Sequence, residues 1–254
     1  ETIKEESAVI RINKAKKISK EMEVFYNPVM KLNRDLTILL LQQFPPMNLS
    51  DPLAASGIRS IRFAKELKYK SIAINDINEK AVRSIKSNLK LNNINRFTII
   101  KNSIKKLNNN KNYNKKNNYK NNKIFIYNND ANLFLLKPNG FDYIDIDPFG
   151  TSNYYLDSAI KRLSRDGILA VTNTDTAALT GTYPKACARK YWAVPKLDYM
   201  MHETGLRILI RKVQLVGMQY EKALIPIFSY FKDHYFRIFF LCEKGKKEAD
   251  KIAR

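Results

Sequence analysis

Residues 142–150 read DYIDIDPFG and hold the densest chemistry in the chain. Side chains alternate faces along a strand, so Tyr143, Asp145 and Asp147 share one face, and Ile144 and Ile146 share the other. Asp147 comes last. Pro148 fixes its own φ and confines Asp147 to extended backbone. Gly150 admits the close approach of a backbone or a base. A carboxylate held beside an aromatic ring suits methylation of an exocyclic amine on a nucleobase. Such an amine is a poor nucleophile, because its lone pair is delocalised into the base. Asp147 would accept its hydrogen bond, orient the lone pair toward a methyl donor and help remove the proton. Phe149 would stack the base once it is out of its helix. The competing reading is a D-P-x-G turn that ends a strand and has no chemistry.

Three further acids have a similar setting. Asp51, Asp76 and Asp130 each fall at or just beyond the end of an expected strand. Ligands of open α/β sheets lie beyond the carboxyl ends of the strands, so with Asp147 these acids predict one shared cleft. The loop DPLAASG (51–57) contains one glycine, Gly57, and lacks the glycine pattern that cradles a pyrophosphate. A ligand without phosphates, such as S-adenosylmethionine, needs no such cradle. Arg59, at the start of the next helix, could meet its carboxylate; otherwise Arg59 is a surface arginine. Asp76 follows Gly57 by about 20 residues, the interval at which an acid meets ribose hydroxyls. The competing role for Asp76 is a helix N-cap, for which Asn78 also competes. Asp130 offers a carboxylate to an adenine amino group, or else a cap or turn.

The elements that must position these residues follow from periodicity. Residues 31–44 read as a helix stopped by Pro45 and Pro46. A strand, loop and helix follow, the helix from about Gly57; residues 71–78 read as a buried strand. Ala81, Val82, Ile85 and Leu89 mark a helix over 79–91. Strands are expected at 123–131, 141–149 and 167–175, with a helix at 152–163. Two aromatic-rich runs flank Lys232-Asp233-His234 and read as an antiparallel hairpin. Strands alternating with helices predict an α/β fold with a mainly parallel, doubly wound sheet and a C-terminal antiparallel β-hairpin. The first 20 residues read as a strand or an arm. Residues 105–123, almost entirely Asn, Lys and Tyr, read as a disordered low-complexity insertion.

Composition narrows the partners. The 254 residues carry 45 Lys+Arg against 24 Asp+Glu, a net charge of +21. Such a balance attracts a polyanion through phosphate contacts and counterion release. The basic run 14–20 reads as a phosphate-contacting patch, a nuclear signal or simply solvated surface, and the mixed stretches ACARKYW (186–192) and KDHYFR (232–237) are candidate RNA contacts. Core aromatics with surface charges explain the two mixed stretches equally well. Cys187 and Cys242 are too few for a disulfide scaffold, and a reducing compartment is the simpler expectation. With His202 and His234 as the only histidines, no metal site is expected; His202-Glu203 is taken as structural. No apolar run approaches a membrane span, and no secretory signal is visible.

Taken in series, VFYNPVMKLNRDL (24–36), SGIRSIRFAKEL (56–67), IND (74–76), NNDAN (128–132), DIDPFG (145–150), YPKACARKYWAVP (183–195) and YFKDHYFR (230–237) resemble the tRNA guanine-26 N2-dimethyltransferases. The resemblance covers nearly the whole chain outside the Asn/Lys insertion. It implies a Rossmann-like class I methyltransferase domain over 1–254 with an N-terminal arm (about 1–30), S-adenosylmethionine as cofactor and tRNA as partner. It implies cofactor-binding roles for Arg34, Arg59, Asp76, Asp130 and Ala131, catalysis by Asp147, and a base pocket of Phe25, Pro148 and Phe149. Two features depart from the pattern. The cofactor loop reads LAASG where a threonine is expected before the glycine. The family's further C-terminal domain is expected to be absent or truncated, since the chain stops soon after the last expected strand. Nucleus, cytoplasm and mitochondrion all suit a basic tRNA enzyme. Two other readings stay open: methylation of an adenine or cytosine amine in other RNA or DNA, and a non-catalytic RNA-binding module.

Overall fold

The computed structural model describes residues 1–12, 22–100, 123–136 and 140–253. The basic run 14–20 lies outside the described residues, as does the expected insertion apart from Lys123. The chain divides into two units, Glu1–Phe134 and Leu135–Arg254.

The first unit opens with an antiparallel hairpin, β1 (Thr2–Glu5) and β2 (Ala8–Arg11). Then come α1 (Lys31–Leu41), β3 (Met47–Asp51), α2 (Ile58–Glu66), β4 (Tyr69–Asn75), α3 (Glu79–Leu91), β5 (Thr98–Ile100), β6 (Ile124–Tyr127) and the short α4 (Ala131–Leu135). The strands run parallel in the order β5-β6-β4-β3. Ile72 and Ile74 on one face of β4, and Ala73 and Asn75 on the other, are buried, as expected of a parallel strand covered on both faces. α3 has the expected bounds, with Asn78 as its N-cap: the Asn78 side chain accepts from the Lys80 N–H. α1 stops earlier than expected. Gln43 and Phe44 donate to Leu40 and Leu41, so the chain tightens into i→i−3 turns before Pro45.

The start of the chain is fixed in place by charge. Glu5 is 1% exposed. It accepts from Arg34 on both oxygens (2.7 Å each), from Arg62 (3.0 Å) and from the Tyr26 hydroxyl (3.1 Å). The hairpin is thereby tied to α1 and α2. Burial alone would raise the Glu5 carboxyl; the Arg34 and Arg62 guanidiniums outweigh it and hold it below its usual value. A lowered folded pKa gives stability that is present at neutral pH and is lost as pH falls below about 4.5 and through the folded value. Glu5→Gln is expected to cost about 2 kcal/mol at pH 7, the order for buried polar groups left poorly matched. In urea titrations the gap between variant and parent should shrink as the solution is acidified. A gap independent of pH would contradict this account.

The second unit contains β7 (Phe141–Ile146), α5 (Asn153–Arg162), β8 (Leu163–Asn173), α6 (Thr176–Leu179), α7 (Pro184–Tyr191), α8 (Met201–Met218), β9 (Lys222–Lys232), β10 (Tyr235–Lys244) and α9 (Lys246–Ala253). Its strand order is β7-β8-β10-β9. β7 and β8 are parallel, and β10 runs antiparallel to both β8 and β9. The expected hairpin is therefore present. It turns through Asp233 at φ 50. Pro226, which lacks a donor, sits on the outer strand β9, where the ladder shifts register opposite Phe239/Phe240. Phe236, Ile238, Phe239 and Phe240 on β10 are fully buried. No helix among the described residues is long and apolar enough to cross a membrane.

Candidate active site

The expected residues divide between the units. Phe25, Arg34, Arg59, Asp76, Asp130 and Ala131 belong to the first; Asp147, Pro148 and Phe149 belong to the second.

In the first unit, Asn75 organises the carboxyl ends of three strands. Its buried amide donates to the carbonyls of Pro52 and Asn129 (3.0 Å each) and accepts from the Asn129 N–H (3.1 Å). The loops after β3 and β6 are thus stapled to the end of β4. Asp76 follows directly. Its Oδ2 accepts from the Ala55 N–H and its Oδ1 from the Asn78 N–H, both at 2.8 Å. Each oxygen keeps a lone pair for a ligand hydroxyl. Burial raises the Asp76 carboxyl, and the two amides offset this in part. The loop is shaped by Gly57 at φ 78, where an added Cβ would lie 3.0 Å from the Ile85 Cγ1 on α3. Only glycine meets both demands.

Asp130 caps α4, its Oδ1 accepting from Asn132 (2.9 Å) and Leu133 (3.2 Å). Its Oδ2 has no hydrogen bond among the described residues. Ala131, the first residue of α4, is buried. The Asn78 amide donates to the Glu23 carbonyl (3.0 Å), which ties the half-buried Phe25 segment to the start of α3. Arg59 is no surface arginine. It is 6% exposed and reaches Asn33 (3.0 Å) and Thr37 (3.4 Å) on α1. Arg34 gives its guanidinium to Glu5 and to the Asn27 carbonyl. Asp51 ends β3 as expected but is buried and accepts from Ser60 (2.7 Å).

In the second unit the two aspartates of DIDPFG have separate tasks. Asp145 is 1% exposed and takes a bidentate pair from Arg237 (3.0 and 2.7 Å) together with the Tyr143 hydroxyl. Arg237 also donates to Thr172 (2.9 Å) and is itself fully buried, so KDHYFR does not offer this charge to RNA. Burial lowers the Arg237 guanidinium, but the charges of Asp145, Tyr143 and Asp147 more than reverse this and raise it. Asp147 and Pro148 are half-buried just beyond β7, and Phe149 is 52% exposed.

The turn is anchored from three directions. Gly150 lies at φ 75, its N–H donates to the Thr174 hydroxyl (2.7 Å), and its carbonyl accepts from the Thr174 N–H (2.9 Å). The buried Tyr191 hydroxyl meets Thr151 (3.0 Å), Asn173 (3.0 Å) and Asp175 (3.1 Å). The Asn153 amide donates to the Lys190 carbonyl (2.8 Å). In ACARKYW, then, Tyr191 is a buried support while Arg189 and Lys190 stay exposed. His202 stacks on Phe231 with ring centroids 3.9 Å apart, and Glu203 pairs with Arg207. No cluster of metal-ligating side chains occurs among the described residues.

A family model described as N2,N2-dimethylguanosine tRNA methyltransferase matches residues 5–254. The chain belongs to this family. It is 42% identical over 245 residues to a tRNA (guanine(26)-N(2)/guanine(27)-N(2))-dimethyltransferase of Aquifex aeolicus, covering 93% of this chain and 56% of that protein. It is 38% identical over 262 residues to a tRNA (guanine(26)-N(2))-dimethyltransferase of Methanocaldococcus jannaschii, covering 98% and 63%. The solved structure of Trm1 from Pyrococcus horikoshii in complex with S-adenosyl-L-methionine is similar, with a TM-score of 0.83 at 36% identity. That match covers 99% of this chain and 63% of the other. This family member therefore spans less than two thirds of the length of these relatives. Its fold is the class I methyltransferase fold, an α/β Rossmann-like architecture with a mainly parallel sheet and C-terminal antiparallel strands.

Proposed function

We propose that this chain transfers methyl groups from S-adenosylmethionine to the exocyclic N2 amine of guanine 26 in tRNA. The observation that carries the reading is the division of labour in DIDPFG. Asp145 is committed to Arg237, whereas Asp147 stands half-buried in an anchored turn beside an exposed phenylalanine. Family membership and the relatives' names support the substrate.

The first unit suits the cofactor. Asp76 keeps a lone pair on each oxygen for ribose hydroxyls, and Asp130 keeps Oδ2 for an amino group. Buried Arg59 offers a cation to a carboxylate. Arg34, paired with Glu5, would act through the packing of α1. A single-glycine loop suits a ligand that lacks phosphates. When bound, S-adenosylmethionine supplies an electrophilic methyl group.

Asp147 accepts a hydrogen bond from the guanine amine and turns its lone pair toward the methyl group. As the nitrogen forms its bond to carbon, Asp147 takes the proton and later returns it to solvent. Phe149 stacks the base, and Pro148 holds Asp147 extended.

Calorimetric titration with S-adenosylmethionine tests the cofactor half. Asp76→Ala is expected to weaken binding about 10- to 100-fold, the order for losing hydrogen bonds to a charged group. If the parent protein shows no binding, the non-catalytic RNA-binding reading takes its place.

A further inference from the structure

We infer that Trp192 is a stacking platform for an unpaired nucleobase of the RNA substrate, a contact that rests on the tRNA reading above. Trp192 follows α7 directly, next to Tyr191, whose hydroxyl is held by Thr151, Asn173 and Asp175. The tethered neighbour fixes where the indole goes. Trp192 adopts φ 60, a left-handed backbone that is uncommon for a bulky residue. Such a conformation persists only where the surroundings impose it.

One face of the indole is covered. The Lys212 ammonium, from α8, lies 2.9 Å from the ring centroid. Lys212 is 6% exposed and forms no ion pair among the described residues. Burial lowers its ammonium to about 8. The electron-rich indole face is the group that meets this charge, and the contact holds the ring in one orientation. Yet Trp192 remains 58% exposed. A large ring held on one face and open elsewhere is the form that base stacking requires, and every base has a π-face to offer.

The segment also exposes Val194 (77%) and Leu197 (60%), but its charge favours a nucleic acid over an apolar protein surface. The segment contributes exposed cations at Lys185, Arg189 and Lys196, and further exposed rings at Tyr183 (62%) and Tyr199 (94%). Cations interleaved with open aromatic rings track a phosphate backbone while they stack its bases. The link to the reaction is short. Tyr191 joins the platform to Thr151, four residues beyond Asp147. A nucleotide stacked on Trp192 would be held by the same unit that carries the proton acceptor.

Trp192 is the one tryptophan in the 254 residues, so its fluorescence reports on the site directly. Titration with unmodified tRNA is expected to quench the emission saturably. Trp192→Ala should raise the KM for tRNA roughly 5- to 150-fold, the range for losing one stacked base. The KM for S-adenosylmethionine should not change. Trp192→Phe keeps a stacking ring and should recover most of the loss; it also serves if the alanine variant folds poorly. The proposal is overturned if tRNA binds and is methylated while the emission stays constant and Trp192→Phe and Trp192→Ala keep the parental KM. Emission shielded from iodide before any RNA is added would also overturn it, because protein would then cover the ring. If tRNA binds but is not methylated while emission is quenched, the platform stands and the catalytic reading falls. Failure to bind tRNA at all overturns both.

Discussion

Asp147→Asn is expected to slow methyl transfer about 10²–10⁴-fold, the usual worth of a positioned general base, with the affinity for S-adenosylmethionine unchanged. The substitution preserves shape and leaves a carbonyl oxygen that still accepts a hydrogen bond. It removes the carboxylate that takes the proton. The anchors of the turn, Gly150 to Thr174 and Thr151 to Tyr191, involve neither side-chain oxygen of Asp147. A loss would therefore report on proton transfer and lone-pair orientation and not on collapse of the loop. Single-turnover kinetics with saturating cofactor measures the step. Undiminished turnover would remove Asp147 from the chemistry.

Arg237→Met is expected to destabilise the protein by about 3–5 kcal/mol, the order found when one member of a buried ion pair is removed. The cause is what remains. Asp145 would keep the Tyr143 hydroxyl but lose both guanidinium bonds, in a site where Arg237 and Asp145 side chains are 0% exposed. Arg237→Lys should recover only part of the loss, since an ammonium cannot reproduce the bidentate geometry. Asp145→Leu combined with Arg237→Met should recover most of it, because an apolar pair leaves no stranded charge. Urea denaturation of the single and double variants measures the coupling. A loss below about 1 kcal/mol in the single variant would show that the pair is not a structural support of the strands β7 and β10 that it joins. Two aspartates two residues apart should thus fail differently, one in rate and the other in stability.

The parts of this account that were legible in the sequence are those with local signals. α3 was legible because Ala81, Val82, Ile85 and Leu89 repeat at helical spacing behind an Asn78 cap. The acids beyond β4, β6 and β7 were legible because apolar runs end at them. What escaped is long-range. Glu5 meets Arg62 across 57 residues, and Asp145 meets Arg237 across 92. No periodicity marks such partners. Arg237 instead looked like a surface contact, because its burial comes from the placement of β10 between β8 and β9. Asn75 sat unnoticed beside Asp76 in IND, and Tyr191 hid among the charges of ACARKYW. Both work through backbone and side-chain bonds to loops that only the folded chain brings near. Asp51 shows the reverse: its position at a strand end matched the other acids, yet its carboxylate is buried against Ser60.

Methyl transfer from labelled S-adenosylmethionine to unmodified tRNA, followed by nucleoside analysis, tests the central claim most directly. The account predicts label in N2-methylguanosine and N2,N2-dimethylguanosine mapping to position 26. Label on an adenine or cytosine amine, or no label from a protein that binds both cofactor and tRNA, would contradict it.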